Sequence, residues 1–357
     1  MRGENITMKK KFTSLQKMTT AGIVAAAIMG TVAGTSYSSA QFTDISGQWF
    51  EQPVKDAAAK GYVDGFEDGT FRPNEPVTRA QFMKLVASGI GKKVETVEGN
   101  AWYMPYIKAL KEEGIVEERF NPGDMNQPMV RAEMAMYAVK AVDPELKGTL
   151  LEATERGIVQ GVGNGELEPM GHTTRAQAVT IIERILDARE GKELEVDKYA
   201  VSRAEIEKTG SNVNSMLGLQ PQNIGQTWSL GQGASVTLNQ VIVADPSDEN
   251  DPYWAYIDKS WWPETADKKR DIVVMAKFTI TVDESADDNV RLYAYQHFTL
   301  YDMTGPLTVS RDNLPGVIPF RKPGTYSGFV AYTIEREYTN TAGLTFNIVG
   351  NDVVIAE

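Results

Sequence analysis

Gly61-Tyr62-Val63-Asp64-Gly65, leading to Val77-Thr78-Arg79-Ala80-Gln81, is the first of three versions of one phrase in this 357-residue chain. The second runs from Gly114-Ile115-Val116 to Met129-Val130-Arg131-Ala132-Glu133, and the third from Gly157-Ile158-Val159-Gln160-Gly161 to Thr173-Thr174-Arg175-Ala176-Gln177. Each version is an apolar stretch of helical character, a Gly-containing turn, and an arginine that opens a second helix. Gly to Arg is 18, 17 and 18 residues, whereas the arginines are 52 and 44 apart. Spacing held inside the unit but not between units marks a repeated structural surface.

Working outward, the first forty residues read as an export signal. Lys9, Lys10, Lys11 and Lys17 precede a small-apolar run from Ala21 to Ala33, and Ser38-Ser39-Ala40 offers a cleavage site. The run is too short and too rich in Gly and Ala for a good membrane span, so no membrane association is expected after cleavage. Met8-Lys9-Lys10-Lys11 is a second candidate start beside Met1. Removing residues 1–40 takes away five basic residues and one acidic residue, leaving 31 Lys+Arg against 47 Asp+Glu, a net charge of −16. That balance argues against nucleic acid as a partner and requires that any bound anion be held locally. With no cysteine there are no disulfides, thiolate metal sites or lipidated cysteine, which suits the surface of a Gram-positive cell.

The period of the apolar residues divides the mature chain. From Phe42 to about Ala188 it is helical, with Val54, Ala57, Ala58 and then Phe82, Leu85, Val86 in the first unit, and comparable faces in the next two. A unit of about 45 residues with two short helices cannot bury its own apolar face, so the three units are expected to assemble on one another. Residues 191–214 are charged and poor in large apolar side chains, which predicts a polar helical linker ending at Gly210-Ser211-Asn212. Beyond it the period becomes two. Ile272, Val274, Ala276, Phe278, Ile280 and Val282 alternate with more polar neighbours, and Val290–Leu300, Thr325–Ile334 and Leu344–Val349 continue the pattern. Strands separated by turns, with no helical interludes, predict a β-sandwich over 215–357.

Thr78-x-x-Gln81 and Thr174-x-x-Gln177 are capping boxes. They put the repeated arginine at the first helical position, where the helix dipole disfavours a cation by up to about 1 kcal/mol. Two compensations are open: a carboxylate or carbonyl of another unit, or an external anion gripped by the guanidinium fork beside the helix N-terminus.

Phe42-Thr43-Asp44-Ile45, Trp49, Gly61-Tyr62-Val63-Asp64-Gly65, Asp68-Gly69-Thr70-Phe71-Arg72-Pro73-Asn74 and Val77-Thr78-Arg79-Ala80-Gln81 together resemble the surface-layer homology (SLH) repeat of bacterial envelope proteins. The second unit departs at Glu118, where the family has a turn glycine, and at Val130, where it has a cap threonine; the third lacks an early tryptophan. The resemblance implies a multidomain chain: signal peptide 1–40, SLH repeats 41–98, 99–145 and 146–190 in an all-α pseudo-threefold bundle, the linker, and an all-β sandwich. The sandwich is similar to telokin-like, immunoglobulin-like extracellular domains. It further implies noncovalent anchoring to secondary cell-wall polysaccharide, whose pyruvylated sugar presents a carboxylate to Arg79, Arg131 and Arg175. Asp44, Trp49 and Trp102 become groove walls, and Gly65 and Gly161 positions of close backbone approach. Glu118 predicts that one groove is weak, with Arg131, in the same unit, contributing less than Arg79.

The remaining motifs are weaker. Tyr253, Trp254, Tyr256, Trp261 and Trp262 form either a packed cluster, the preferred reading, or an exposed sugar platform. Asp245-Pro246-Ser247-Asp248-Glu249-Asn250-Asp251 reads as a solvated turn rather than a Ca²⁺ loop, since the closing Glu of an EF-hand is missing. Two histidines, His172 and His297, and no nucleophile elbow, zinc helix or phosphate loop give catalysis little support. The expectation is a non-catalytic surface protein in the cell wall, without cofactor or metal. The alternatives are an anchored glycan-active enzyme with a carboxylate pair in the sandwich, or a sandwich that is a second carbohydrate-binding module. The partner of the C-terminal domain is not legible.

Overall fold

Each sequence unit folds into two helices joined through its glycine turn, in a computed structural model that describes residues 42–95, 101–120, 123–260, 262–287 and 289–357. The export signal lies outside the described residues. The helices are α1 (Glu51–Ala59) and α2 (Arg79–Gly89), α3 (Met104–Glu112) and α4 (Arg131–Val142), α5 (Leu150–Glu155) and α6 (Arg175–Arg189). The first helix of each pair ends just before a left-handed glycine, Gly61, Gly114 or Gly157, with φ of 77°, 74° and 69°, a conformation that other residues adopt only with strain. Capping boxes start α2 and α6, whereas Val130 has no side-chain acceptor and leaves α4 without one.

The units are joined cyclically by backbone. Val77 N–H donates to Thr173 O at 2.9 Å, Thr173 N–H to Met129 O at 2.8 Å, and Met129 N–H to Val77 O at 2.8 Å. A second ring satisfies the unpaired N–H groups that begin each second helix: Arg79 N–H meets Gln127 O, Arg131 N–H meets Gly171 O, and Arg175 N–H meets Glu75 O, at 3.1, 2.9 and 2.9 Å. Side chains of all three units, among them Val54, Phe82, Leu110, Met134, Ile158 and Ile182, share one core. Val77, Met129 and Thr173, whose backbones close the first ring, are fully buried, and the Thr173 hydroxyl has no hydrogen-bond partner. The first unit has valine at this position. Thr173→Val should therefore raise stability by about 1 kcal/mol, because it removes an unpaired buried hydroxyl at nearly constant shape. Thermal melts of the two proteins check this, and a lowered melting temperature would contradict it.

The segment expected to be a polar linker is instead packed on both sides. Helix α7 (Lys198–Thr209) buries Ala200 and Ala204 against Leu151 and Leu167 of the third unit. Its Ile206 enters a cluster with Ile242, Tyr253 and Trp254 of the β region. Ser202 donates to Tyr253 OH at 3.3 Å, the Tyr199 hydroxyl bonds Asp248, and Arg203 pairs with Glu166 at 3.3 Å. The sequence hid this because the inward side chains are Ala and Ser, which carry little apolar signal but permit close approach. Limited proteolysis should accordingly spare residues 198–209 rather than split the chain there; early cleavage inside α7, read by mass spectrometry, would overturn the packed arrangement.

After the short helix α8 (Val213–Leu217) come β1 (Thr227–Gly231), β2 (Ala234–Ala244), β3 (Asp271–Val282), β4 (Arg291–Tyr293), the turn-length helix α9 (Ala294–His297), β5 (Phe298–Leu300), β6 (Met303–Leu307), β7 (Val317–Pro319), β8 (Gly324–Glu335), helix α10 (Arg336–Ala342), β9 (Leu344–Ile348) and β10 (Asn351–Ala356). A five-stranded sheet has the order β1-β2-β3-β8-β6 and a three-stranded sheet the order β10-β9-β5; all pairings are antiparallel. The alternating residues Ile272 to Val282 of β3 meet Phe298, Phe346 and Ile355 of the smaller sheet in one core, with the Phe278 and Phe298 rings 4.9 Å apart. The strand expected over Val290–Leu300 is broken at Ala294–His297, since β4 pairs with β7 whereas β5 joins the other sheet. Helices α9 and α10 are thus interludes that the alternation did not announce.

Tyr253 and Trp254 are buried and Trp262 is half-buried, its indole donating to Ala266 O at 2.9 Å. This is core packing rather than a sugar platform; Trp261 lies outside the described residues. In the acidic turn, Asp245 pairs with Arg336 at 2.8 Å and Asp251 accepts the backbone N–H groups of Asp245, Tyr253 and Trp254. No helix among the described residues is long and apolar enough to cross a membrane.

Candidate functional site

Cyclic closure sends each arginine into the turn of a different unit. Arg175, from the third unit, donates Nε–H to Phe71 O at 2.9 Å and a terminal N–H to Asp64 O at 3.2 Å, both in the first unit. Its guanidinium lies 4.7 Å from the Phe71 ring and 5.1 Å from that of Phe66. Arg131, from the second unit, donates to Leu167 O at 2.8 Å and Gln160 O at 3.0 Å in the third. Burial pushes both guanidinium groups below their ordinary pKa, and neither meets a carboxylate within ion-pair distance among the described residues.

Two open clefts result. The first, about 350 Å³, is bounded by Asp64, Gly65 and Phe66, by Gln81 and Lys84 of α2, by Arg175, and by Trp102. The second, about 450 Å³, is bounded by Gln160, Gly161 and Gly163, by Gln177 and Arg184 of α6, by Arg131, and by Trp49. Each therefore combines a turn and second helix from one unit, an arginine from another, and a tryptophan from the stretch preceding a first helix. Trp49 and Trp102 are 64% and 48% exposed, unusual for residues whose burial is so favourable and suited to stacking on a ring-shaped ligand.

Arg79 has a different environment. Its Nε–H donates to the Glu133 carboxylate at 2.7 Å, and a terminal N–H contacts Asp124 O at 3.3 Å. The hydrogen bond it donates to Glu133 holds its pKa above the ordinary value. The cause lies in the cap: Gln81 and Gln177 bond back to Thr78 and Thr174, but Val130 offers no such box, and Glu133 turns to Arg79 instead. The position matching Trp49 and Trp102, two residues before the first helix, is Gly148, where a Cβ would stand 2.9 Å from Met136 O. The internal acid thus stands beside Arg79, whereas the expectation from the sequence was that Arg131 is the weakened arginine. Glu118 shares a sequence unit with Arg131, but Arg131 reaches across to Gln160 and Gly161, and Arg79 is the arginine met by an internal acid.

The other expected residues are placed as follows. Asp44 borders neither cleft; its carboxylate accepts Phe71 N–H at 2.7 Å and Arg72 N–H at 2.8 Å, fixing the first unit's turn. Gly65 and Gly161 do line the clefts, yet the close approach they permit is internal. A Cβ on Gly65 would fall 2.3 Å from the Phe42 ring, and one on Gly161 3.2 Å from the Asp197 carboxylate.

The S-layer homology domain profile matches residues 41–83 and 139–179. Relatives include the S-layer protein Sap of Bacillus anthracis, 25% identical over 48% of this chain and 24% of the relative, and an uncharacterized cell wall amidase of the same organism, 31% identical over 46% and 35%. An amylopullulanase of Thermoanaerobacterium thermosulfurigenes is 27% identical over 41% of this chain and 9% of its own length. The chain carries S-layer homology domains. The matches span about a third or less of these relatives' lengths, so their whole-protein activities do not transfer with them. What the S-layer homology domains and the S-layer relatives indicate for this chain is a cell-surface or cell-wall location. The unit between the two matched SLH segments is the one altered at Glu118 and Val130.

Sequence reasoning missed Lys84, Phe66, Gln160 and Arg184 as cleft residues. Arg184 lies nine residues beyond Arg175 on α6, but the two serve different clefts, which only cyclic closure reveals. The role of Glu133 was foreshadowed by the missing cap threonine.

Proposed function

We propose that the three helical units form one pseudo-threefold SLH bundle that anchors the protein noncovalently to secondary cell-wall polysaccharide through its two open clefts. An immunoglobulin-like β-sandwich is displayed beyond it, and the chain has no catalytic role. The observation that carries this reading is the repeated juxtaposition, in both clefts, of an exposed tryptophan with an arginine that is fully (Arg131) or partly (Arg175) buried and, among the described residues, has no carboxylate within ion-pair distance. A sugar ring stacks on the indole while its acidic substituent meets the guanidinium, a charge-assisted contact of about 1.5–3 kcal/mol. A pyruvyl ketal suits the first cleft well, because the half-buried Phe66 offers its methyl group an apolar surface beside Arg175. The third position already contains a carboxylate, Glu133, and takes no ligand.

Purified protein spanning residues 41–357 should sediment with native wall sacculi and stay in solution once the polysaccharide has been stripped with acid. Equal retention on bare peptidoglycan would sink the glycan assignment.

A further inference from the structure

The two open clefts differ in charge. In the second, Arg131 and Arg184 converge on one residue from two helices: Arg131 donates to the backbone oxygen of Gln160 at 3.0 Å and Arg184 to its side-chain oxygen at 2.7 Å. Their other bonds, to Leu167 O at 2.8 Å and Ile158 O at 3.4 Å, also end on neutral carbonyls. Among the described residues neither has a carboxylate within ion-pair distance. Asp197, the N-cap of α7, reaches the turn, but its carboxylate accepts the N–H groups of Gly161, Tyr199 and Ala200. Glu168 and Glu195 act on the two arginines only at longer range. The first cleft instead has one such arginine, seated on Phe66 and Phe71, with Lys84 at its rim.

Two half-desolvated cations side by side repel each other, and a singly charged ligand neutralises one of them. A doubly charged group with several acceptor oxygens neutralises both and matches two guanidinium forks. We propose, building on the anchoring role above, that the cleft between Arg131 and Arg184 is selective for a phosphomonoester on a sugar, while the Arg175 cleft takes a singly charged carboxylate. The two sites then read different acidic substituents of wall glycan. The cleft of about 450 Å³ admits a phosphorylated monosaccharide with its ring against Trp49.

The test uses the protein from residue 41 to 357 at pH 8, with N-acetylglucosamine 6-phosphate and N-acetylmuramic acid as the doubly and singly charged probes. Binding is followed by calorimetry and by the arginine Nε–H resonances. The phosphosugar should bind at least about tenfold more tightly, roughly 1.4 kcal/mol, and perturb Arg131 and Arg184 first. Arg184→Gln should reduce the preference to about twofold or less, whereas Arg184→Lys, which keeps the charge, should retain part of it and serves if the Gln variant does not fold. Equal affinity for the two probes, a preference that survives Arg184→Gln, or phosphosugar shifts confined to Arg175 would each overturn the assignment. Sacculus retention measured in parallel separates the two readings. Retention without phosphosugar preference rejects this selectivity alone, and preference without retention rejects wall anchoring alone.

Discussion

Arg131→Ala should lower both stability and wall affinity, whereas Arg79→Ala should leave wall affinity nearly unchanged. Arg131 is 4% exposed and satisfies two carbonyls of the neighbouring unit. Truncation leaves those acceptors without their donor in a buried place, at roughly 1–3 kcal/mol each, and removes the cation of the second cleft. A melting temperature lower by about 5–10 °C is expected, together with an affinity loss of about tenfold to a hundredfold at temperatures where the variant is still folded. Arg175→Ala should lose affinity alike but stability less, since the two carbonyls it holds in another unit are open to water once it is gone. Arg79 faces Glu133 in a partly exposed pair, of the kind worth about 1 kcal/mol or less, so its removal costs little. This ordering reverses the one suggested by the position of Glu118 in the sequence. Affinity for sacculi, measured beside thermal melts of the three variants, decides the matter. A loss in Arg79→Ala equal to that in Arg131→Ala would show that the third position binds ligand despite its internal acid.

The parts of the structure that were legible are those set by local chemistry. The glycine turns after the first helices, the threonine caps starting two of the second helices, and the alternation of Ile272 to Val282 are each written in a few adjacent residues, and each stands where it was expected. Which unit an arginine serves was not legible, because closure of a ring of three is a property of the assembly. The same holds for α7. Its Ala200, Ser202 and Ala204 give no apolar stripe, yet their small size is what lets the helix lie between two partners. The break at Ala294–His297 escaped notice because Leu292, Ala294, Phe298 and Leu300 keep an alternating pattern across it, and nothing local says that the chain changes sheets there. Conversely, the exchange of a cap threonine for Val130 was visible. Its consequence for Arg79, 51 residues earlier, needed the fold.

Asn212→Ala should weaken the fastening of the helical module to the sheets. The side chain is fully buried at the end of the α7–α8 connection. Its amide donates to Val243 O and to Ser202 Oγ, each at 2.9 Å, while its oxygen accepts Val243 N–H at 2.7 Å. One residue thus completes the hydrogen bonding of the β2 backbone at Val243 and holds Ser202, which in turn reaches Tyr253. Alanine leaves a buried N–H and a buried C=O on Val243 unpaired, and water has little access to a site that is fully buried. The cost should be about 3 kcal/mol, with up to about 5 if both groups remain dry. Ile206 and the Tyr199–Asp248 bond still tie α7 to the β region, so the loosening should centre on the connection at 209–214, which should become the first site of proteolytic attack. Wall binding should persist, since every residue lining the two clefts belongs to the three helical units. A variant with unchanged melting temperature and unchanged protection of α7 would show that the two modules are held together by other contacts than this amide.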